Sequence, residues 1–231
     1  MNWQAECAAV IPCLNEEATI APVIRAVRVQ LPTVIVVDDG STDRTAELAR
    51  GAGAEVFTHE RTAGKGRALL TGWRQACARG FRWALTLDGD GQHSPSDIPA
   101  FFQRAESTSA ALVVGNRMAG VAQMPWLRRF VNRWMSRRLS TLAGRSLPDS
   151  QCGFRLMSLE AWSALTIAAN HFEIESEILL AFVLSGHLVE FVPIQVIYKN
   201  EQSKIHPLPD TIRWFRWWRQ ARAAVREKRR T

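Results

Sequence analysis

No stretch of this chain reaches the roughly 18 uninterrupted apolar residues that a membrane-spanning helix needs. The longest clean apolar run, 178–184, is short enough to be a buried core element. The opening residues, Met1-Asn2-Trp3-Gln4-Ala5-Glu6, have neither the basic start nor the apolar stretch of a secretory signal. These two absences set the expectation of a cytoplasmic protein. Cys7, Cys13, Cys77 and Cys152 form no C-x-x-C pair, so a disulfide or zinc framework is excluded and they read as small reduced hydrophobes. There is no internal repeat and no low-complexity linker. The turn after the first apolar segment, Ile11-Pro12-Cys13-Leu14-Asn15-Glu16-Glu17, contains no glycine. The G-x-G-x-x-G turn that lets a backbone approach a dinucleotide pyrophosphate is therefore missing. That argues against NAD or FAD and leaves a metal as the means of handling a diphosphate.

What is present is a core-forming composition with uneven charge. Of 231 residues, 47% are hydrophobic, ample for one large domain or one domain with an appendage. The net charge of +7 resides in the last stretch, 211–231, with its seven arginines, one lysine and one glutamate. The body before it is balanced overall, but 118–148 holds six arginines and no acid. Basic segments of this kind attract phosphates of nucleic acids or of anionic membranes.

The first half alternates strand and helix signals, which predicts a mostly parallel sheet with helices on its faces. Strands are expected at 8–12, 34–37, 54–58, 81–87 and 110–114, with helices at 16–29, 63–78 and, capped by Ser41-Thr42-Asp43, up to Arg50. Pro95 suits a helix start. The second half is less regular. Helices are expected at 125–143 and 173–184, a polar-to-apolar segment at 149–157, a strand at 188–198 and a helical tail from Pro209.

Chemistry is concentrated where two hydrophobic strands stop. Asp38-Asp39-Gly40-Ser41 follows 33–37, and Asp88-Gly89-Asp90-Gly91-Gln92 follows 83–87. Open α/β sheets present ligand-binding groups at these carboxyl ends. On extended backbone, residues i and i+2 point the same way, so Asp88 and Asp90 can face one cation, with Gln92 adding a neutral oxygen. Mg²⁺ or Mn²⁺ held by such groups completes its shell with substrate phosphates and water and supports a departing diphosphate as a Lewis acid. The competing explanation is an ordinary Asp-Gly turn. Asp39 can accept hydrogen bonds from a ribose or base, or merely cap a helix entry. His93 reads more simply as a structural polar residue than as a catalyst.

Taken in order, Val10-Ile11-Pro12 with Asn15-Glu16-Glu17, the segment 36–43, Gly64-Lys65-Gly66 and the segment 88–93 resemble family 2 glycosyltransferases, and more closely the dolichyl- or polyprenyl-phosphate mannose or glucose synthases. Gly115-Asn116-Arg117, Gly153-Phe154-Arg155 and the segment 203–207 extend the match over 8–207. The resemblance implies the GT-A (Rossmann-like) α/β fold and inverting transfer of a hexose from a nucleotide-diphosphate sugar, GDP- or UDP-linked, to polyprenyl phosphate. It implies that Pro12, Leu14 and Glu16 line the nucleotide pocket, with Asp39 and Asp88 beside the nucleoside. Lys204 would meet the diphosphate, and Asp88, Asp90 and Gln92 the metal. Arg117 would sit where donor and acceptor phosphates converge, and Arg128 and Asn132 are further acceptor-phosphate candidates, with Arg129 and Arg133 competing. Asp90 and Arg117 are the expected catalytic pair.

The acceptor class has a physical rationale. A lipid monophosphate carries about −1.5 to −2 charge at pH 7 and is already a deprotonated nucleophile; arginine forks match its oxygens. A sugar-hydroxyl acceptor, glycolipid or polysaccharide, would instead need a positioned base, for which Asp149, Glu173, Glu175 and His171 are candidates. Glu173 and Glu177 share a helix face, where acids also suit a helix start. A non-catalytic nucleotide-sugar or nucleic-acid binder is the alternative from another class.

Wound as a helix, the tail 208–231 places Trp214, Trp217, Trp218, Ala221, Ala224 and Val225 on one side and Arg213, Arg216, Arg219, Arg222, Arg226 and Arg230 on the other. Ile212 and Phe215 break the pattern. This predicts a basic amphipathic interfacial helix on an anionic membrane surface, appended to a catalytic domain 1–207, with the tryptophans at headgroup level. The segment 122–146 is a rougher version, its broad apolar arc interrupted by Arg137 and Arg138, which can snorkel. The tail's aromatic face can also pack on the protein itself or on a separate membrane subunit. Single-stranded nucleic acid is another ligand of basic-aromatic stretches, but no recognition module accompanies this one, so nucleic acid is not an expected partner. The expectation is an enzyme peripheral to the cytoplasmic face of a membrane.

Overall fold

The computed structural model describes residues 1–118, 126–197 and 207–228. Among these residues seven strands form one sheet in the order β3-β2-β1-β4-β6-β5-β7. They are β1 (Cys7–Cys13), β2 (Val34–Asp38), β3 (Glu55–Thr58), β4 (Trp83–Thr86), β5 (Leu112–Asn116), β6 (Arg155–Ser158) and β7 (Val189–Pro193). β1 runs parallel to β2 and β4, β2 to β3, and β5 to β7. Every residue of β1 and β2 is buried, as expected of central parallel strands covered on both faces. The five strands expected in the first half are all present.

β6 departs from the alternating pattern. It inserts between β4 and β5 and is antiparallel to both, so those two strands are not neighbours. With four residues, two of them Arg155 and Ser158, it carries too little hydrophobic periodicity to announce itself as a strand.

The helices are α1 (Trp3–Glu6), α2 (Ile20–Arg28), α3 (Thr45–Gly51), α4 (Lys65–Ala78), α5 (Ile98–Thr108), α6 (Trp126–Ala143), α7 (Leu159–Ser163), α8 (Ile174–Leu184) and α9 (Pro207–Lys228). α4 lies against β1 and β2, α5 against β5 and β7, and α6 against α8. Pro95 opens a short 3₁₀ turn that leads into α5, the position its fixed φ favours. Among the described residues no helix is long and apolar enough to cross a membrane.

α9 is joined to the body by its aromatic face. Trp214, Trp218 and Val225 belong to the same hydrophobic cluster as the sheet. The Trp214 ring lies 5.5 Å from Trp134 of α6, and its indole N–H donates to Ser176 Oγ of α8 at 2.8 Å. The tryptophan side of the tail is therefore an intramolecular surface, not a lipid-facing one. The tail arginines Arg213, Arg216, Arg219, Arg222 and Arg226 are exposed, Arg222 with its guanidinium over the Trp218 ring.

Candidate active site

The loops at the carboxyl ends of β1, β2 and β4 form one edge. Asp39 donates its N–H to Cys13 O at 2.9 Å, which places the β2 end beside the β1 turn. Asn15 adopts a left-handed φ of 52°, which asparagine tolerates better than most side chains. Its N–H donates to Ser41 Oγ at 2.8 Å and its Oδ1 accepts from Thr42 N–H at 2.9 Å. Ser41 and Thr42 thus tie the segment containing Leu14 and Glu16 to the β2 end. The entry of α3 is left to Asp43, whose Oδ1 accepts from Thr45 N–H at 2.9 Å. The Asp39 carboxylate is buried and committed: Oδ1 meets His59 Nδ1 at 2.7 Å and Ala63 N–H at 3.0 Å, and Oδ2 accepts from Gly64 N–H at 2.8 Å. It anchors the loop that delivers Lys65.

Lys65 stands at the centre of the site. Its Nζ lies 2.6 Å from Asp88 Oδ1 and 2.8 Å from Glu175 Oε1 at the start of α8. Gly64-Lys65-Gly66 surrounds this cation with glycine for a steric reason: a Cβ on Gly66 would come within 2.5 Å of the Asn170 backbone. Gly153 approaches from the other side, where a Cβ would sit 3.0 Å from Asp88 Oδ2 and 3.1 Å from Lys65 Nζ. The motif is visible in the sequence, but no role for Lys65 follows from it, because its two partners lie far away in the chain.

Asp88 and Asp90 lie on a turn, since β4 ends at Thr86. Strand alternation does not bring them together. The turn does, through Gln92 N–H donating to Asp90 Oδ1 at 2.9 Å and Thr19 Oγ1 donating to Gly89 O at 2.8 Å. Their electrostatics diverge. Burial alone would raise Asp88, but Lys65 overrides it and holds this carboxyl well below the usual range. Burial and the adjacent Asp88 charge push Asp90 up to about 6, with Glu16 contributing in the same direction. Burial lowers His93 to about 4, so it is neutral, and its Nδ1 accepts the Asp88 N–H at 3.3 Å. It buttresses the turn, as the structural reading of this residue holds.

Arg117, at the end of β5, is buried against Asp149. Its Nε donates to Oδ2 and its Nη2 to Oδ1, both at 2.8 Å, and its backbone N–H donates to Oδ2 at 3.1 Å. Burial opposes ionisation of Asp149, yet Arg117 keeps it below the ordinary carboxylate range. Arg155 clips the 149–155 loop by donating to Cys152 O, Ser150 O and Glu175 O. Gln151 Nε2 donates to Ser176 Oγ at 2.7 Å. Asp149, ambiguous in the sequence, is thus the counter-ion of Arg117.

Asn132 is buried in α6 and Arg128 is half-exposed one turn earlier. Lys204 lies outside the described residues, as do 122–125 of the segment 122–146. Glu177 Oε2 accepts from Ala168 N–H at 3.1 Å and Ala169 N–H at 2.7 Å, so it organises the preceding loop. Among the described residues no group of three or more His, Cys, Asp and Glu side chains forms a metal-ligating cluster. The pair Asp88–Asp90 nevertheless fits a hard divalent cation that keeps water and phosphate ligands. Lys65 pairs with the first of these carboxylates, and burial together with that neighbouring charge raises the second.

Residues 8–165 match the model of glycosyl transferase family 2. Among curated relatives, the UDP-N-acetylglucosamine–dolichyl-phosphate N-acetylglucosaminyltransferase of Methanococcus voltae is 31% identical over 82% of this chain and 84% of its own length. The polyprenol monophosphomannose synthase of Mycolicibacterium smegmatis is 29% identical over 69% of this chain and 64% of its own. Among solved structures, glucosyl-3-phosphoglycerate synthase from Mycobacterium tuberculosis, in complex with Mn²⁺, UDP and phosphoglyceric acid, superposes with a TM-score of 0.72 at 22% identity. That alignment covers 95% of this chain and 78% of the synthase, and it establishes the GT-A fold.

Proposed function

The chain belongs to glycosyl transferase family 2, and on that premise we propose that it moves a hexose, with inversion, from a nucleotide-diphosphate sugar to polyprenyl phosphate at a membrane surface. The observation that carries the acceptor assignment is that two of the four groups a hydroxyl acceptor could use as a base, the two buried ones, are engaged. Asp149 is locked on Arg117 and Glu175 on Lys65. A phosphate acceptor needs no base, and a fixed guanidinium such as Arg117 suits it. The relatives named for dolichyl-phosphate and polyprenol-phosphate products support the same class.

In this reading Pro12, Leu14, Glu16, Asp39 and Asp88 bound the nucleotide pocket, and Lys204 reaches the diphosphate. Arg117, with Arg128 and Asn132, orients the acceptor phosphate so that its oxygen meets the anomeric carbon opposite the departing diphosphate. Asp88 and Asp90, with Gln92, would hold Mg²⁺ or Mn²⁺, Asp90 carrying the larger share because Lys65 already balances Asp88. When bound, the cation neutralises charge on the leaving nucleoside diphosphate. The catalytic unit spans 1–207, and the basic segment 208–231 brings it to the cytoplasmic face of a membrane. Either GDP or UDP suits these contacts.

The test is product analysis with radiolabelled UDP- and GDP-hexoses, Mg²⁺ or Mn²⁺, and a short-chain polyprenyl phosphate. The expected product is an acid-labile sugar phosphodiester of inverted anomeric configuration. A product linked through a sugar hydroxyl would move the assignment to a glycolipid or polysaccharide acceptor. No transfer from any donor would overturn the reading.

A further inference from the structure

The helical wheel of the tail leaves Ile212 and Phe215 on the wrong side. The structure sets Phe215 against Trp218, with ring centroids 5.7 Å apart, and leaves Ile212 exposed. α6 and α9 run side by side in the same direction, because contacts advance together along both: Trp134 meets Trp214, and Arg138 lies over the rings of both Trp134 and Trp218. Further along, Thr141 and Leu142 line a small cavity with Arg222 and Val225. The amino-terminal ends of the two helices therefore lie together.

At that shared end large apolar side chains face outward. Trp126 is 77% exposed, Phe130 65%, Ile212 52% and Phe215 42%, whereas Trp214 is 2% exposed; Leu127 is also exposed. At about 100° per residue, Phe130 falls on the Trp134 side of α6. Phe215 falls on the flank of α9 that carries Arg222, which is the flank turned to α6, and Ile212 lies about 80° farther round, among the exposed arginines. Behind this apolar tip come exposed arginines, Arg133, Arg137 and Arg138 on α6 and Arg219, Arg222 and Arg226 on α9. No acidic residue occurs in 118–148.

We propose that this two-helix tip, Trp126, Leu127 and Phe130 of α6 with Ile212 and Phe215 of α9, is the surface that inserts into an anionic lipid bilayer, while the tail's tryptophan face stays inside the protein. Charge decides the occupant. The shoulder behind the apolar tip is cationic on both helices, which fits anionic headgroups lying above an acyl layer. Arg117 and Asn132 lie on the loop before α6 and within α6, so the tip docks the rim of the site onto the layer that holds a lipid-linked phosphate. The inference rests on the membrane reading above.

The experiment is sedimentation of the full chain with phosphatidylcholine vesicles containing or lacking phosphatidylglycerol, with no polyprenyl phosphate present. Phe130→Ser/Phe215→Ser should lower the vesicle partition coefficient at least tenfold, since two largely exposed aromatic side chains lose their transfer into the bilayer. It should leave turnover of a water-soluble short-chain acceptor unchanged. Arg137→Gln/Arg222→Gln should weaken binding roughly tenfold or more on anionic vesicles only, at low salt. Wild-type partition by the double serine variant would overturn the proposal. So would failure of the unaltered chain to bind any vesicle, which would leave a membrane-embedded protein as the occupant. If the unaltered chain turns over the short-chain acceptor but binds no vesicle, the docking surface alone falls; if it binds vesicles but shows no turnover, the acceptor assignment alone falls.

Discussion

Replacing Asp90 by asparagine separates a functional carboxylate from a decorative turn residue. In the folded chain burial and Asp88 raise Asp90 from an ordinary 3.8 to about 6. The folded state therefore holds this proton up to about pH 6, while the unfolded chain releases it near pH 4. Between those values the folded state binds more protons, so this group's contribution to stability falls as pH rises through the window and stays low above it. A difference of this size corresponds to about 3 kcal/mol. An asparagine side chain does not titrate, so Asp90→Asn should be more stable than the parent at pH 8 without divalent cations. The gap should be on the order of 2–3 kcal/mol, or about 5–10 °C in Tm for a domain of this size, and it should close toward pH 4. Adding Mn²⁺ with UDP or GDP should close this gap. The parent gains about 2.7 kcal/mol at a hundredfold excess over Kd, the variant gains little, and divalent-dependent turnover is lost. Thermal unfolding from pH 4 to 8, with and without metal, reads all of this. Coincident curves at pH 8, or equal metal stabilisation of both proteins, would refute the electrostatic account.

Lys65→Met strands Asp88 and Glu175 without their shared cation. It should cost about 3–5 kcal/mol at pH 7, read by urea unfolding. Asp88 is depressed by Lys65 and so contributes stability above its unfolded pKa; the deficit should shrink as pH falls below about 4. Asp149→Asn leaves a buried guanidinium without its counter-charge. It should lower stability by about 2–4 kcal/mol and reduce kcat/KM with the soluble acceptor, and a double-mutant cycle with Arg117→Lys should show strong coupling. Trp214→Ala removes an almost fully buried ring and its bond to Ser176. It should destabilise by about 3–5 kcal/mol in the absence of any membrane, a loss that a purely lipid-facing tryptophan would not produce.

The alternating first half is legible because its strands obey simple rules. Residues 34–37 are β-branched and continuous, as buried parallel strands are, and the acidic turns after β2 and β4 follow such runs directly. β6 is not legible, because four residues with two polar members carry no period. The site is legible as far as its local pieces. Asp88, Asp90 and Gln92 sit on one turn and can be read as a group, although the turn and not strand alternation unites them. Pairings across long separations are invisible: Lys65 with Glu175, and Arg117 with Asp149. Each joins residues more than 30 positions apart. A lone lysine between two glycines says that backbone must come close there, but not which carboxylate it will meet.

The tail shows where pattern reasoning meets its physical limit, and it also explains why the tail matters to the site. An aromatic stripe on a basic helix is the same sequence whether the low-dielectric neighbour is lipid or protein. What decides is the partner for the indole N–H, which in a buried position needs an acceptor. Ser176 Oγ supplies it, accepting from Trp214 at 2.8 Å while also accepting from Gln151 Nε2 at 2.7 Å. Gln151 lies two residues from Asp149, and its own N–H donates to Asp149 Oδ1 at 3.1 Å. The neighbouring Glu175 carries Lys65 on its side chain and Arg155 on its carbonyl. The first turn of α8 therefore holds the tail on one side, and on the other the loop that orients Arg117 and the lysine that orients Asp88. A helix joined to the candidate site in this way is one of its structural supports. Its outward residues remain exposed, and its inward ones hold the loop and the lysine that fix Arg117 and Asp88.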